Sequence, residues 1–231
     1  MEVPKNNTAN NDRSDSSLQN GTQLNEKWEA YIKANGADFV RFVDITPLPV
    51  ETRGEYTRAV FFCKVLSRGY LSAVRDGRKP ERQEFGKTEH AMDALCVKLA
   101  NELTSEGYDS VTKITSAKIK SARLPHKTIA RMAGFGFIGK NTLLVSEEFG
   151  CAAVLGKVLT VAPFAATQTQ PIEQQCGDCS VCVDICPAKA LLGAPWSPAT
   201  TRDEMLVRKL CSPCMKCMIH CPYTVHYIQH G

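Results

Sequence analysis

No apolar run in the 231-residue sequence approaches the roughly 20 residues that a membrane-crossing helix needs. The first stretch, from Met1 to Asn25, is polar where a secretory signal would be apolar. The expectation is therefore a cytoplasmic protein without a membrane partner. Acidic residues are also missing altogether between Asp109 and Glu147, where Lys113, Lys118, Lys120, Arg123, Lys127, Arg131 and Lys140 supply seven positive charges. Such a stretch is either a solvated face or a contact for something anionic: a phosphate-bearing cofactor, an RNA backbone or an acidic redox partner.

What the chain has is enough apolar material to fold. Its 43% hydrophobic content suits one or two cores and excludes disorder as a description of the whole. Residues 1–22, rich in Asn, Ser and Asp, are expected to form an unstructured tail. Trp28, Tyr31 and Ile32 then recur at helical spacing up to Gly36. Residues 39–45 alternate as a strand, and residues 58–66 read as a more buried one. Ala91, Leu95, Leu99 and Leu103 mark a helix over residues 85–106, closed by Gly107. Further strands are expected over 110–115, 142–145 and 152–160, and short helices over 125–133 and 203–210. The fold class predicted is mixed, α+β or α/β. An N-terminal α/β domain over 23–168 precedes a small ferredoxin-like domain over 169–231.

The eleven cysteines are unevenly distributed. Cys63, Cys96 and Cys151 sit among apolar neighbours and read as buried structural residues. The other eight form an internal repeat: Cys176-x2-Cys179-x2-Cys182-x3-Cys186-Pro187, then Cys211-x2-Cys214-x2-Cys217-x3-Cys221-Pro222. Three cysteines two residues apart let one loop reach three corners of a [4Fe–4S] cube, and in two-cluster ferredoxins the fourth ligand comes from the other repeat. The expected sets are Cys176, Cys179, Cys182 and Cys221 for cluster one, and Cys211, Cys214, Cys217 and Cys186 for cluster two. Structural zinc is normally written as separated Cys-x2-Cys pairs and has no place for a third cysteine at the next step. The formal charge of +4 counts these thiols as neutral. Two clusters at about −2 each bring the total near zero, so the charge is no argument for nucleic acid.

Residues 134–141 (GFGFIGKN) place Gly134, Gly136 and Gly139 within six positions. As a dinucleotide fingerprint the turn follows a helix instead of a strand. As a phosphate loop it has Asn141 where Ser or Thr should reach magnesium. Glycines so close together still imply a backbone brought near something, either a ligand or a packed neighbour.

Residues 124–145 (LPHKTIARMAGFGFIGKNTLLV), then Val158-Leu159-Thr160, then residues 176–190 (CGDCSVCVDICPAKA), resemble the epoxyqueuosine reductases and, beyond them, the reductive dehalogenases. The resemblance implies a base-off cobalamin on the α/β domain beside a two-cluster ferredoxin module. Lys127, Arg131, Gly134, Gly136, Gly139, Lys140 and Asn141 would be the cofactor-binding residues. It implies an oxidoreductase in which reduced ferredoxin or flavodoxin feeds the clusters, the clusters reduce a corrinoid, and the corrinoid reduces a substrate, an epoxide on a modified tRNA base in the family. The family's proton-donating aspartate has no counterpart in residues 120–126 (KSARLPH), which leaves His126 as the nearest donor. The sequence ends at Gly231 without a repeat module for tRNA, so tRNA is a partner only without a dedicated domain. The alternative is a ferredoxin-type carrier, or an activator that reduces a corrinoid protein and has no substrate of its own.

Overall fold

The computed structural model describes residues 9–80, 83–112 and 126–230, with the backbone alone for residues 9–18. Lys113, Lys118, Lys120 and Arg123, and the carboxylate-free stretch before His126, lie outside them. The elements run α1 (Ala9–Ala34), β1 (Phe39–Asp44), α2 (Val50–Arg53), β2 (Arg58–Val65), α3 (Arg68–Arg75), α4 (Glu84–Ser105), β3 (Ser110–Val111) and α5 (His126–Met132). There follow β4 (Phe137–Ile138), β5 (Leu144–Val145), β6 (Ala153–Thr160), α6 (Val181–Asp184), α7 (Arg202–Met205), α8 (Lys216–Ile219) and α9 (Pro222–His230). None of the described helices is long and apolar enough to cross a membrane.

The main sheet has the order β1-β2-β6-β3, and every pairing in it is antiparallel. The fold is therefore mixed, as expected, and of the two classes named it is α+β. Central β2 buries the unbroken run Ala59 to Cys63, which is why that strand shows no polar alternation. Helix α4 lies across β6, burying Met92, Leu95, Leu99 and Leu103 at helical spacing.

The composition of residues 1–22 predicts an unstructured tail, but from Ala9 onward the chain is helical. The cause is tertiary. Asn25 Nδ2 donates to Ala165 O at 2.8 Å, and a Cβ on Gly21 would stand 3.0 Å from Pro163 O, so the helix is pressed onto the 163–165 segment. Trp28 and Ile32 anchor it in the core, and extending a formed helix costs far less than starting one.

Among the described helices, α2, α3, α6, α8 and α9 go beyond those expected. In α3 the Ser67 hydroxyl accepts from Tyr70 N at 3.2 Å, an N-cap signal that the sequence carries. Its buried Tyr70 and Leu71 face the core, and it packs on α8 and α9. Met218, Ile219 and Cys221 thereby enter the same core as the sheet. The cysteine repeats are thus seated against the α+β core, across the position expected for a boundary near residue 168.

Candidate functional site

Cys176, Cys179, Cys182 and Cys221 line one cavity of about 140 Å³. The first two belong to a turn closed by Cys179 N donating to Cys176 O at 2.9 Å, and Cys182 lies in α6. Cys221, at the start of α9, comes from the other repeat. Burial pushes the Cys182 thiol up to about 11, and Cys176, Cys221 and Cys179 push it further in the same direction. The companion set gathers around Cys217, which is raised to about 11 by burial and then by Cys214, Cys182, Cys211 and Cys186. Burial disfavours the thiolate, and each neighbouring thiolate disfavours it further, because like charges are brought close together. Cys211 and Cys214 are exposed, whereas Cys182 and Cys221 are buried. Among the described residues, no three His, Cys, Asp or Glu side chains converge tightly enough to share a single metal ion.

The glycine-rich turn ends at this cavity. Lys140 Nζ donates to Gly177 O at 2.6 Å and to Cys179 O at 3.2 Å, gripping the loop that carries the first two cysteines. Buried Asn141 donates from Nδ2 to Cys151 Sγ at 3.2 Å and to Cys217 O at 3.3 Å, and its Oδ1 accepts from Leu143 N at 3.0 Å. The glycines are explained by the chain itself. A Cβ on Gly136 would fall 2.2 Å from Val145 O, one on Gly139 2.9 Å from the Val145 side chain, and one on Gly134 2.8 Å from that of Thr169. The close approach that sequence reasoning left open is made to β5 and to the 169 segment.

The remaining basic residues are committed within the fold as well. Lys127 Nζ donates to Thr142 O, and burial, followed by the charge of Arg202, holds its ammonium down to about 8. Arg131 donates to Ile172 O at 3.2 Å and to Glu173 Oε1 at 2.6 Å, with its guanidinium 5.2 Å from the Trp196 ring centre. Lys127 ties α5 to the turn at Thr142, and Arg131 ties it to the segment leading into the repeats.

His126 stands with Lys157 of β6, Nε2 to Nζ 2.6 Å. Burial, and then the charges of Lys157 and Lys127, push the imidazole from 6.5 down to about 4. That shift keeps the ring neutral near pH 7. The unfolded chain takes up a proton near pH 6.5 that the folded ring refuses until about 4. The stabilisation is therefore complete above pH 6.5 and is lost as pH falls towards 4. His126→Gln should flatten this slope, measured as urea midpoints at pH 7 and pH 5; an unchanged slope would remove His126 as its source.

Sequence reasoning missed three residues at the site. Lys157 looked like one polar position in an apolar strand, yet it is buried. Cys151 was assigned to packing alone. Thr224, fully buried in α9, carried no local signal, because its partners lie some 70 residues earlier: Cys151 N donates to Thr224 Oγ1 at 2.9 Å. The neighbouring Cys221, and then burial, hold the Cys151 thiol well above its usual range. The same contact draws Cys221 down to about 7.

No family model matches the chain. It is 35% identical over 137 residues to an epoxyqueuosine reductase of Lactococcus garvieae, covering 56% of this chain and 38% of that protein. It is 40% identical over 77 residues to one of Pseudomonas aeruginosa, covering 33% and 21%. The chain thus spans well under half the length of these curated relatives. Among solved structures, an epoxyqueuosine reductase of Bacillus subtilis aligns with a TM-score of 0.56 at 18% identity, over 90% of this chain and 67% of that one. An epoxyqueuosine reductase solved with an epoxyqueuosine-modified tRNA-Tyr stem loop aligns at 0.54 and 18% identity, over 88% and 66%. A catabolic reductive dehalogenase aligns at 0.53 and 18%, over 84% and 31%. At such identities the structures speak for the fold, and the curated relatives speak for the lineage. By sequence the chain is similar to the epoxyqueuosine reductases over part of their length, and its fold is similar to theirs.

Proposed function

We propose that this chain is an iron–sulfur oxidoreductase component of the epoxyqueuosine reductase type. Residues 169–231 hold two [4Fe–4S] clusters that carry electrons to a corrinoid, with the α+β body over residues 23–168 facing it. The observation that carries this reading is the cavity shared by Cys176, Cys179, Cys182 and Cys221, four soft sulfur donors drawn from two separate repeats. Thiols spread around a volume suit a multi-iron cube. One tetrahedral zinc needs its four sulfurs about 2.3 Å from a single point.

When bound, the clusters would supply single electrons at low potential. The protein's part is to hold and insulate them. Lys140 clamps the carbonyls of the Cys176–Cys179 turn, and Cys221 is shielded in the apolar core, which keeps water from the inner cluster and tunes its potential. Cys211 and Cys214 are exposed, so cluster two is the natural point of entry for an electron from a reduced ferredoxin or flavodoxin.

Whether the corrinoid resides on this chain separates two forms of the proposal. The family likeness supports a resident cobalamin and a reduction on a modified tRNA base. The engagement of Lys127, Arg131, Lys140 and Asn141 inside the fold favours the second form, in which the chain reduces a corrinoid held by another protein. Each of those side chains already holds a partner within the fold, and no catalytic step is assigned to them.

Anaerobic reconstitution with iron and sulfide should yield about eight irons per chain; zinc, or far fewer irons, would refute the cluster assignment. Titration of that protein with cob(II)alamin, followed by visible and EPR spectra, then separates the two forms. A base-off signal at one equivalent supports a resident corrinoid. Absence of binding, with reduction of a corrinoid protein in trans, supports the activator.

A further inference from the structure

We propose that the exposed face around Cys211 and Cys214 is the docking surface for an acidic electron-carrier protein, steered there by Arg208, Lys209 and Lys216. The inference rests on the cluster reading just given, and names the surface and the partner that feed cluster two.

The two cysteine repeats share a spacing and differ in charge. Between Cys176 and Cys186 the first carries Asp178 and Asp184 and no base. The second carries Lys216 and no acid, Arg208 and Lys209 stand just before it, and no Asp or Glu occurs from Met205 to Gly231. All three cations are exposed, and none of them joins an ion pair among the described residues. Of the acids just upstream, Asp203 is matched by Arg202 beside it. Glu204 is turned back to cap α7, its Oε2 accepting from Thr201 N and Oγ1 at 2.6 Å each. An acidic protein therefore meets attraction at cluster two and two carboxylates beside cluster one, which orients it before contact.

The same face is apolar at its centre. Residues 207–214 are exposed without a break. The Leu191–Leu206 bridge, with Leu192 N donating to Met205 O at 2.9 Å and Val207 N to Ala190 O at 2.8 Å, sets Leu192 beside that segment. Leu192, Val207 and Leu210 stand 52%, 38% and 51% exposed, three of the seven large apolar side chains so exposed among the described residues. An apolar centre with a charged rim is what a protein partner matches. An RNA backbone would use the cations and leave the leucines in water, and residues 205–221 hold no aromatic ring on which a base could stack. In the docked complex one electron leaves the carrier's reduced cofactor and enters cluster two, with no bond or proton exchanged. A small, brief contact suffices for that step.

Stopped-flow reduction of the reconstituted protein by a reduced, acidic flavodoxin tests this, with reduced methyl viologen as a small reductant that needs no docking. The variant Arg208→Glu/Lys209→Glu is compared with Lys33→Glu/Lys98→Glu at the α1–α4 seam, which makes the same change in net charge. At about 0.01 M ionic strength the flavodoxin rate should fall about tenfold or more in the first variant, with the gap closing as salt rises. The second variant should stay close to the wild type. Viologen should reduce all three alike, each with about eight irons. A salt-independent wild-type rate, an unchanged rate in the first variant or an equal fall in both would overturn the docking surface and leave the clusters standing. So would a wild type that viologen reduces and flavodoxin does not. If the first variant lost affinity for an RNA stem loop and kept its flavodoxin rate, the face would belong to nucleic acid and the inference would fail. A wild type without iron would sink it together with the cluster reading beneath it.

Discussion

Replacing Cys179 and Cys221 together by alanine is expected to leave one intact [4Fe–4S] signal and about four irons per chain, whereas replacing Cys179 with Cys186 should leave no intact cluster at all. Both double variants remove Cys179. They differ in whether the second loss falls on the same cube. Cys179 and Cys221 share a cavity, so their joint loss damages cluster one twice and spares the other. Crossed ligation of the two repeats puts Cys186 on the second cube, so its loss opens that cube while Cys179 opens the first. Each iron of the cube takes one thiolate, so every lost cysteine leaves one iron of its own cube without a protein ligand. The reverse pattern, with both signals lost in the first variant and one kept when Cys179 and Cys186 are removed, would mean that each repeat closes on itself.

Gly136→Ala should destabilise the protein by about 3 kcal/mol or more, at the upper end of what overpacking costs. The added Cβ would stand 2.2 Å from Val145 O and 2.8 Å from the carbon bearing it. Both are backbone atoms that cannot swing aside. Relief requires parting Phe137 from Val145, the pair that starts the β4–β5 ladder. Gly36→Ala provides the comparison. Its φ is +105, with nothing within 4 Å of the added Cβ, so only backbone strain of about 1–2 kcal/mol is expected. Denaturant midpoints of the two variants measure the difference. If Gly136→Ala kept its stability and lost only corrinoid binding, the glycine would serve a ligand after all.

Much of the fold is legible along the chain. The alternation from Phe39 and the unbroken apolar run from Ala59 gave β1 and β2 to within a residue or two, and the leucines of α4 marked its buried face, because burial has a period that short-range geometry imposes. The described part of residues 1–22 was misread for the converse reason. Its composition offers nothing to bury, and the partner that makes it helical, the 163–165 segment, lies some 140 positions away. The site divides along the same line. Eight cysteines announce themselves by spacing, whereas Lys140 and Asn141, expected from the resemblance to bind a corrinoid, are set by the fold against the cysteine cavity.

The sequence by itself determined the donor chemistry: two runs of three thiols at intervals that a single loop can wrap around a cube, each followed by a fourth cysteine and a proline. Only the tertiary structure decided which sulfurs share a volume, how the strands pair, and that Cys151, Asn141 and Thr224 surround Cys221. Spacing constrains what one short loop can reach. Contacts between segments 70 or more residues apart depend on how the helices and the sheet pack, and no local pattern records that.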